Sequence, residues 1–431
     1  MTETIFALSS GQPPAAIAIM RISGPDTFAA VATLTDKLPP PRHAGLRRLS
    51  LDGVTLDDAL VLLFPGPATA TGEDLAELHL HGGRAVVRAV EAALASIPGL
   101  RPAEAGEFTR RALTHGRIDL TEAEGLGDLL AAETEGQRRA ALRAAEGGIR
   151  RQIEDWAQRT LALSATVEAM LDHSDEEDVA AEVDTVDTVV TRAVLLGREI
   201  EGVVAQPGVE RLRDGLRVVL AGAPNTGKST LLNALCEREA AIVSPLAGTT
   251  RDRIEVPVMR DGIAYILTDT AGLHDRPADV VEEIGIERAR DSLAAADIIL
   301  WLDDGAPPEE VTAAPHILLH PRCDEAGRGT PPIGRQPVSA KSGKGVAALW
   351  TAIGKLAADL LPVADAVPMN QRQRDLARDA AQALLRTQVT RDSLLMAEEL
   401  RQALRSFDRI TGRADTEAML DTLFGRFCIG K

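Results

Sequence analysis

Aromatic residues are scarce in this 431-residue chain: three Trp, one Tyr and seven Phe make up 3%. Its cores must therefore be built from Leu, Val, Ile and Ala, and an Ala-Leu-rich mix favours helix because these side chains lose little freedom there. Cysteine is scarcer still. Cys236, Cys323 and Cys428 lie far apart, which excludes a disulfide framework and points to a reduced, cytoplasmic setting. No run of about 18 apolar residues occurs, so no transmembrane helix and no membrane partner are expected. The apolar stretch Ala15–Met20 follows Pro13-Pro14 with no basic segment before it, so a signal peptide is not expected either. Positive charge is also in deficit: 47 Lys and Arg against 64 Asp and Glu leave a net charge of −17. A bare nucleic-acid binder is usually basic, because its affinity rests on phosphate neutralisation. Any RNA bound here needs a local basic patch or a partner that carries it.

What is present is ordinary for a soluble globular protein, with 45% hydrophobic and 26% charged residues. The length suggests about three domains at roughly 150 residues each. Residues 1–118 read as mixed α/β: Ile17–Ile22 and Leu60–Phe64 as strands, Glu77–His81 as an alternating half-buried strand, and Arg84–Ser96 as an amphipathic helix stopped by Pro98-Gly99. From Thr121, where Thr121 and Glu124 fit a capping box, the texture turns helical through residues 119–210 and closes at Pro207-Gly208. Residues 211–364 return to alternation. Strands are predicted at Leu216–Ala221, Ile263–Thr268, Ile298–Asp303 and Ile317–His320, which suggests a parallel sheet with helices on both faces. Residues 365–431 are helical again. The fold class expected is multidomain α+β: a mixed N-terminal domain, a helical domain in two pieces, and an inserted Ras-like α/β P-loop domain.

The run Gly222-Ala223-Pro224-Asn225-Thr226-Gly227-Lys228-Ser229 fits G-x-x-x-x-G-K-[ST], follows a strand and opens a helix (Ser229–Leu235), on which Thr230 is a further candidate nucleotide contact. Successive N–H groups of such a loop cradle phosphate at a helix N-terminus. Lys228 should reach the β- and γ-phosphates and Ser229 should ligate Mg²⁺. Asp269-Thr270-Ala271-Gly272 follows a second strand and resembles the switch II motif of GTPases, with Asp269 holding Mg²⁺ through water and the Gly272 N–H sensing the γ-phosphate. Gly248-Thr249-Thr250-Arg251-Asp252 lies where switch I belongs, Thr250 being the second Mg²⁺ ligand. Ser339-Ala340-Lys341 resembles the last guanine-contacting loop. The base-reading N-K-x-D motif is altered to Pro321-Arg322-Cys323-Asp324. Asp324 can still accept from guanine N1–H and the exocyclic amine, whereas Pro321 cannot supply the lost Asn side chain. GTP is favoured over ATP, with guanine selectivity weakened, because buried hydrogen bonds carry discrimination.

In Ras-like proteins a Gln after the D-T-A-G motif orients the attacking water. Here that position is Leu273, with His274, Glu282 and Glu283 as charged candidates for the task. Asn225 inside the phosphate loop, with backbone carbonyls of Ser244 and Leu246, could cage a monovalent cation that stabilises developing charge. The bland alternative is an Asn that merely caps a turn.

Asn225, the run Ala247-Gly248-Thr249-Thr250-Arg251-Asp252, Asp269–Leu273 and the terminal Phe427-Cys428-Ile429-Gly430-Lys431 resemble the MnmE (TrmE) family of tRNA-modification GTPases, with Ser244, Pro245 and Leu246 just before that run as candidate site residues. So do Arg21-Ile22-Ser23-Gly24, Gly72-Glu73-Asp74 and the stretch from Gly106 to Glu124, so the likeness spans essentially the whole chain. The resemblance implies a K⁺- and Mg²⁺-dependent GTP hydrolase that is a homodimer through its N-terminal domain. It implies action with an FAD-containing MnmG-type partner, as a heterotetramer, on C5 of the wobble uridine of certain tRNAs. There the pair adds an aminomethyl or carboxymethylaminomethyl group, with a tetrahydrofolate derivative (5-formyl- or methylene-tetrahydrofolate) as one-carbon source. It further implies that Glu282 orients water, that Ser244, Leu246 and Thr249 join Asn225 around K⁺, and that Arg21, Glu77, Arg117 and Lys431 bind folate. Arg and Lys suit an anionic glutamyl tail, and a carboxylate suits pterin donors. Arg117 stands where the family often has Lys, and a planar fork is not a point charge. Cys428 is implied near the folate site or in the modification chemistry, although no activating base is visible for it.

Plainer readings stand beside these. Glu77, His79 and His81 share one strand face, more a ligand-facing or interface surface than a metal site, since zinc wants three or four protein ligands. The acidic run Asp172–Asp178 reads as a solvated face. Arg138-Arg139 and Arg150-Arg151 read as helix surface or as tRNA contacts. The alternative function is a GTP-controlled ribosome-assembly or RNA-binding switch, although the basic RNA-binding module usual in such proteins is not visible.

Overall fold

The computed structural model describes residues 3–172, 186–236, 240–241, 255–269, 290–363, 366, 369–390, 392–414, 424–425 and 430. The chain forms two compact units. One takes residues 1–127, 144–159 and 404–431, the other residues 128–143 and 160–403.

In the first unit, among the described residues, six strands form one sheet: β1 (Thr4–Leu8), β2 (Ile17–Ser23), β3 (Gly45–Leu51), β4 (Val54–Phe64), β5 (Leu75–His81) and β6 (Leu100–Pro102). Their order is β3-β4-β5-β2-β1-β6. All neighbours are antiparallel except β1 with β6. Alternation along the strands divides the faces. Phe6, Met20, Ile22, Leu78 and Leu80 pack with Val31 and Leu34 of the helix Thr27–Leu34 and with Val87, Val90 and Leu94 of the helix Arg84–Ser96. The opposite face carries Arg21, Glu77 and His79, all partly exposed.

The helix expected from Thr121 begins one residue earlier, at Leu120. Its capping box is made by Asp119 and Glu122 rather than Thr121 and Glu124. Asp119 Oδ1 accepts from the Glu122 amide at 2.8 Å and Glu122 Oε2 accepts from the Asp119 amide at 2.7 Å. An Asp at this position competes well with Thr as a cap, and Thr121 is left to donate to Asp119. Long helices follow at Glu135–Ala145, Gly148–Asp172, Val186–Val204, Gln371–Arg386 and Ser393–Thr411. The acidic run beyond Asp172 lies outside the described residues.

In the second unit the sheet strands are β7 (Leu216–Ala221), β8 (Ala240–Ala241), β9 (Glu255–Arg260), β10 (Ile263–Asp269), β11 (Ile298–Leu302), β12 (His316–Pro321) and β13 (Gln336–Val338). Their order is β13-β12-β11-β7-β10-β9-β8. β7 and β11 read as nearly unbroken apolar runs because a central parallel strand is covered on both faces. In-and-out alternation is absent there: Val218, Val219 and Leu220 are all buried, as are Ile298, Ile299 and Leu300. The sheet is mixed rather than wholly parallel, since β9 runs antiparallel to β10. The cause is local. Asp261 (φ +50°) and Gly262 (φ +78°) make a two-residue hairpin turn, the chemistry for which Asp-Gly is favoured.

Candidate nucleotide site

The strand order puts β7 between β10 and β11, and the chain leaves these parallel strands on one edge of the sheet. Such a switch point at the carboxyl ends of strands is where α/β sheets bind ligands. Gly222 follows β7 directly with φ +143°, and a Cβ there would stand 2.6 Å from the Leu302 carbonyl oxygen. Only glycine lets the loop turn so tightly against β11. Asn225 adopts φ +60° and Gly227 φ +98°, and the helix Lys228–Cys236 starts at once.

Lys228 lies folded into its own loop, donating to the carbonyls of Gly222 at 3.0 Å and Ala223 at 2.9 Å. Burial pushes its ammonium below the ordinary lysine value, against the pull of Asp269 and Asp303. Ser229 Oγ donates to Asp269 Oδ2 at 2.5 Å. Asp269 ends β10 beside Leu220 of β7, so the ladder itself brings the two oxygens together. A hydroxyl and a carboxylate at this spacing are hard oxygen donors that fit Mg²⁺, which keeps several waters and takes few protein ligands. Thr226 Oγ1 donates to the Ala223 carbonyl at 2.9 Å.

Beside the loop lies a cavity of about 190 Å³ lined by Thr226, Gly227, Thr230, Pro321, Arg322, Asp324, Ser339, Ala340 and Lys341. The residues expected to meet guanine therefore converge with the phosphate loop. A hydrogen bond from Ser339 holds the Asp324 carboxyl below the usual carboxylate range, helped by Lys341 and Lys344. Arg322, at φ +56°, donates to the Asn225 carbonyl and so ties base loop to phosphate loop.

Pro321 marks where the sequence reading stopped short. Its side chain supplies nothing polar, but its carbonyl accepts from Arg328 Nε at 3.1 Å. Arg328 also binds Asp304 at 2.7 Å. His320, 4% exposed, sits between Asp304 (2.6 Å) and the Arg328 carbonyl (2.9 Å). Burial alone would raise the Asp304 carboxyl, yet His320 and Arg328 hold it below the usual range. Arg335 donates to the carbonyls of Asp303 and Gly305, and Trp301 Nε1 donates to that same Gly305 carbonyl at 3.4 Å. The proline at an asparagine position signals that the base loop is altered, but it does not point to Asp304, His320 or Arg328.

Ser244, Pro245, Leu246, Ala247, Gly248, Thr249, Thr250, Thr270, Ala271, Gly272, Leu273, His274, Glu282, Glu283, Cys428 and Lys431 lie outside the described residues.

On the N-terminal sheet, Arg21 and Glu77 are ladder partners. Arg21 donates to Glu77 Oε1 from two nitrogens, at 2.7 and 3.2 Å. His79 approaches the other carboxylate oxygen at 3.4 Å, and the Arg21 guanidinium lies 5.9 Å from the Phe108 ring centre. His81 turns instead to Asp57 at 2.7 Å, so the three residues of that strand face do not converge on one point. Arg117 is held by a different partner, the Thr69 carbonyl, at 3.0 Å. Gly430 (φ +100°) accepts from Ser9 Oγ at 2.6 Å, and a Cβ on it would collide with the Leu8 carbonyl oxygen. Arg138 and Arg139 both bind Glu135, and Arg150 binds Glu154 and Glu122, so acids already engage these three arginines, while Arg151 donates to the Glu146 carbonyl at 2.8 Å.

Residues 4–117 match the model of the GTP-binding protein TrmE N-terminus, and residues 120–428 match the MnmE helical domain. The chain belongs to the MnmE family. It is 53% identical to the tRNA modification GTPase MnmE of Erythrobacter litoralis over 431 residues, covering all of both chains. It is 50% identical to the protein of the same name in Novosphingobium aromaticivorans, again over all of both chains. To that of Rhizorhabdus wittichii it is 53% identical, over all of this chain and 97% of the other. MnmE relatives of this length match every part of the chain, including the N-terminal sheet that carries Arg21 and Glu77. No helix among the described residues is long and apolar enough to cross a membrane.

Proposed function

We propose that this MnmE-family chain is a GTP hydrolase that serves tRNA modification at the wobble uridine, with an FAD-bearing partner and a tetrahydrofolate derivative as one-carbon donor. The observation that carries the GTPase part is the meeting of Lys228, Ser229 and Asp269 beside a cavity that presents Asp324. Lys228 would leave its loop carbonyls for the β- and γ-phosphates. Ser229 and Asp269 would exchange their mutual hydrogen bond for Mg²⁺, with Thr250 joining from switch I. Magnesium supplies charge neutralisation on the phosphates. Asn225 turns at φ +60° in the phosphate loop, a conformation Asn tolerates in any turn; its reading as the loop's K⁺ ligand, with Ser244, Leu246 and Thr249 as its companions, rests on the chain's membership of the MnmE family. Glu282 takes the water-orienting task that Leu273 cannot perform.

The folate reading rests on Arg21 and Glu77, a guanidinium and a carboxylate on one partly exposed sheet face beside Phe108. Such a set offers charge for an anionic tail and an acceptor for ring donors. Gly430 packs on Leu8 and Ser9. Leu8 adjoins Ala7, the ladder partner of Arg21, which supports Lys431 as a further member. Homodimerisation through this domain and the role of Cys428 complete the proposal.

Reconstitution tests it. The chain, an FAD-bearing partner, unmodified tRNA, GTP, MgCl₂, KCl, 5,10-methylene-tetrahydrofolate and an amine donor (ammonium for an aminomethyl group, glycine for a carboxymethylaminomethyl group) should yield a C5-modified uridine on nucleoside analysis. Continued GTP hydrolysis with unmodified uridine would leave a GTPase without this role.

A further inference from the structure

An N-K-x-D loop begins with a carboxamide that can donate and accept at once. Here that position is Pro321, at the end of β12 and paired with Val338 of β13. Proline keeps only a backbone carbonyl. That carbonyl is engaged by Arg328 Nε, while the other end of the guanidinium binds Asp304 Oδ2 at 2.7 Å. Asp304 Oδ1 lies 2.6 Å from His320 Nδ1, and His320 Nε2 lies 2.9 Å from the Arg328 carbonyl. The contacts close into a ring. It links the residues after β11, the end of β12 and the loop beyond Asp324, with His320 nearly sealed from solvent. The Cys323 amide, bonded to the Val338 carbonyl at 3.3 Å, fixes the other side of the same short segment. Asp324 follows directly and lines the base cavity.

We infer that Asp304, His320 and Arg328 are positioning residues for guanine selectivity, a ring that holds the Asp324 loop in register where the usual carboxamide is missing. The inference deepens the nucleotide-site reading and rests on it. None of the three needs to touch the base. Arg328 sets the Pro321 carbonyl, hence the entry of the chain into Arg322 and Asp324. Asp304 and His320 fix Arg328. A bidentate guanidinium does this better than an ammonium could, because its fork is planar and preset. A charged hydrogen bond removed from such a ring is worth roughly a factor of ten or more.

The test compares GDP with inosine 5′-diphosphate, which lacks the exocyclic amine that Asp324 accepts. Dissociation constants are measured by displacement of a fluorescent GDP analogue on the full chain. In Arg328→Ala the preference for GDP over the inosine nucleotide should fall about tenfold, with Arg328→Lys between the two. In a Pro321→Asn background, where the carboxamide returns, the same alanine change should cost about threefold or less, because the two devices do one job. A merely structural arginine would weaken both nucleotides alike and leave their ratio unmoved. An unmoved ratio, or an equal loss with Asn at 321, overturns the inference. If circular dichroism finds Arg328→Ala unfolded, Asp304→Asn is judged by the same ratio and the same cycle. A wild-type chain that discriminates while both variants still do so leaves the nucleotide site standing and removes only the ring. A wild-type chain that binds neither nucleotide removes both.

Discussion

At the phosphate end of the nucleotide site nearly every group comes from one run, Gly222–Ser229, closed by Asp269 from the adjoining strand. At the base end the groups come from the ends of β11, β12 and β13 and from the loop after β12. The first end is backbone geometry forced by glycines and a helix start, and it tolerates little rewriting. The second is a side-chain assembly, so one lost carboxamide can be offset by residues distant in sequence. The altered motif Pro321-Arg322-Cys323-Asp324 falls where recognition is made by exchangeable side chains.

The difference can be broken most severely at the phosphate end. Lys228→Ala should lower kcat/KM for GTP by about 10³-fold, because no other described side chain donates from the same place. A loss under tenfold in steady-state hydrolysis would show that this end, too, has substitutes. Next comes the cation. Replacing KCl by NaCl should slow hydrolysis by about 10²-fold, and Asn225→Ala should erase most of that difference. Equal rates in the two salts, with Glu282→Ala also unchanged, would remove both the cation and the glutamate roles.

The smallest effect is on pH. Burial lowers the Lys228 pKa, and bound phosphates raise it, so binding takes up protons where the free site is already losing them. GDP affinity should therefore decline with rising pH before the ordinary lysine value of about 10.4 is reached, and by no more than about tenfold per pH unit. Lys228→Arg should flatten that profile, since its guanidinium stays charged. Isothermal titration in buffers of different ionisation enthalpy reads the proton uptake directly. A profile that stays flat to pH 10 in the unmodified chain would contradict the burial argument.

Much of this contrast was legible in the residues. The strands at Leu216, Ile263, Ile298 and Ile317 announce themselves as apolar runs bounded by breakers, because central parallel strands are covered on both faces. The helix Arg84–Ser96 was fixed by its periodicity and by Pro98-Gly99. The phosphate loop is a local pattern whose function is its own backbone. β9 was missed although Asp261-Gly262 marks its hairpin, since Glu255–Arg260 is polar at its two ends and sits near the sheet edge. Asp304, His320 and Arg328 were missed for a stronger reason. Their partnership exists only once β11 and β12 lie side by side, and nothing within any one of those segments spells it. The same holds for Arg21 with Glu77, which residue chemistry suggests and a ladder makes adjacent.

Trp301 offers an unplanned convenience. Its indole N–H ends on the Gly305 carbonyl that Arg335 also grips, next to the acids that anchor the base end. Indole emission is sensitive to just such a polar neighbour. A shift in ultraviolet fluorescence on adding nucleotide would therefore let a label-free stopped-flow trace follow that corner of the sheet in real time.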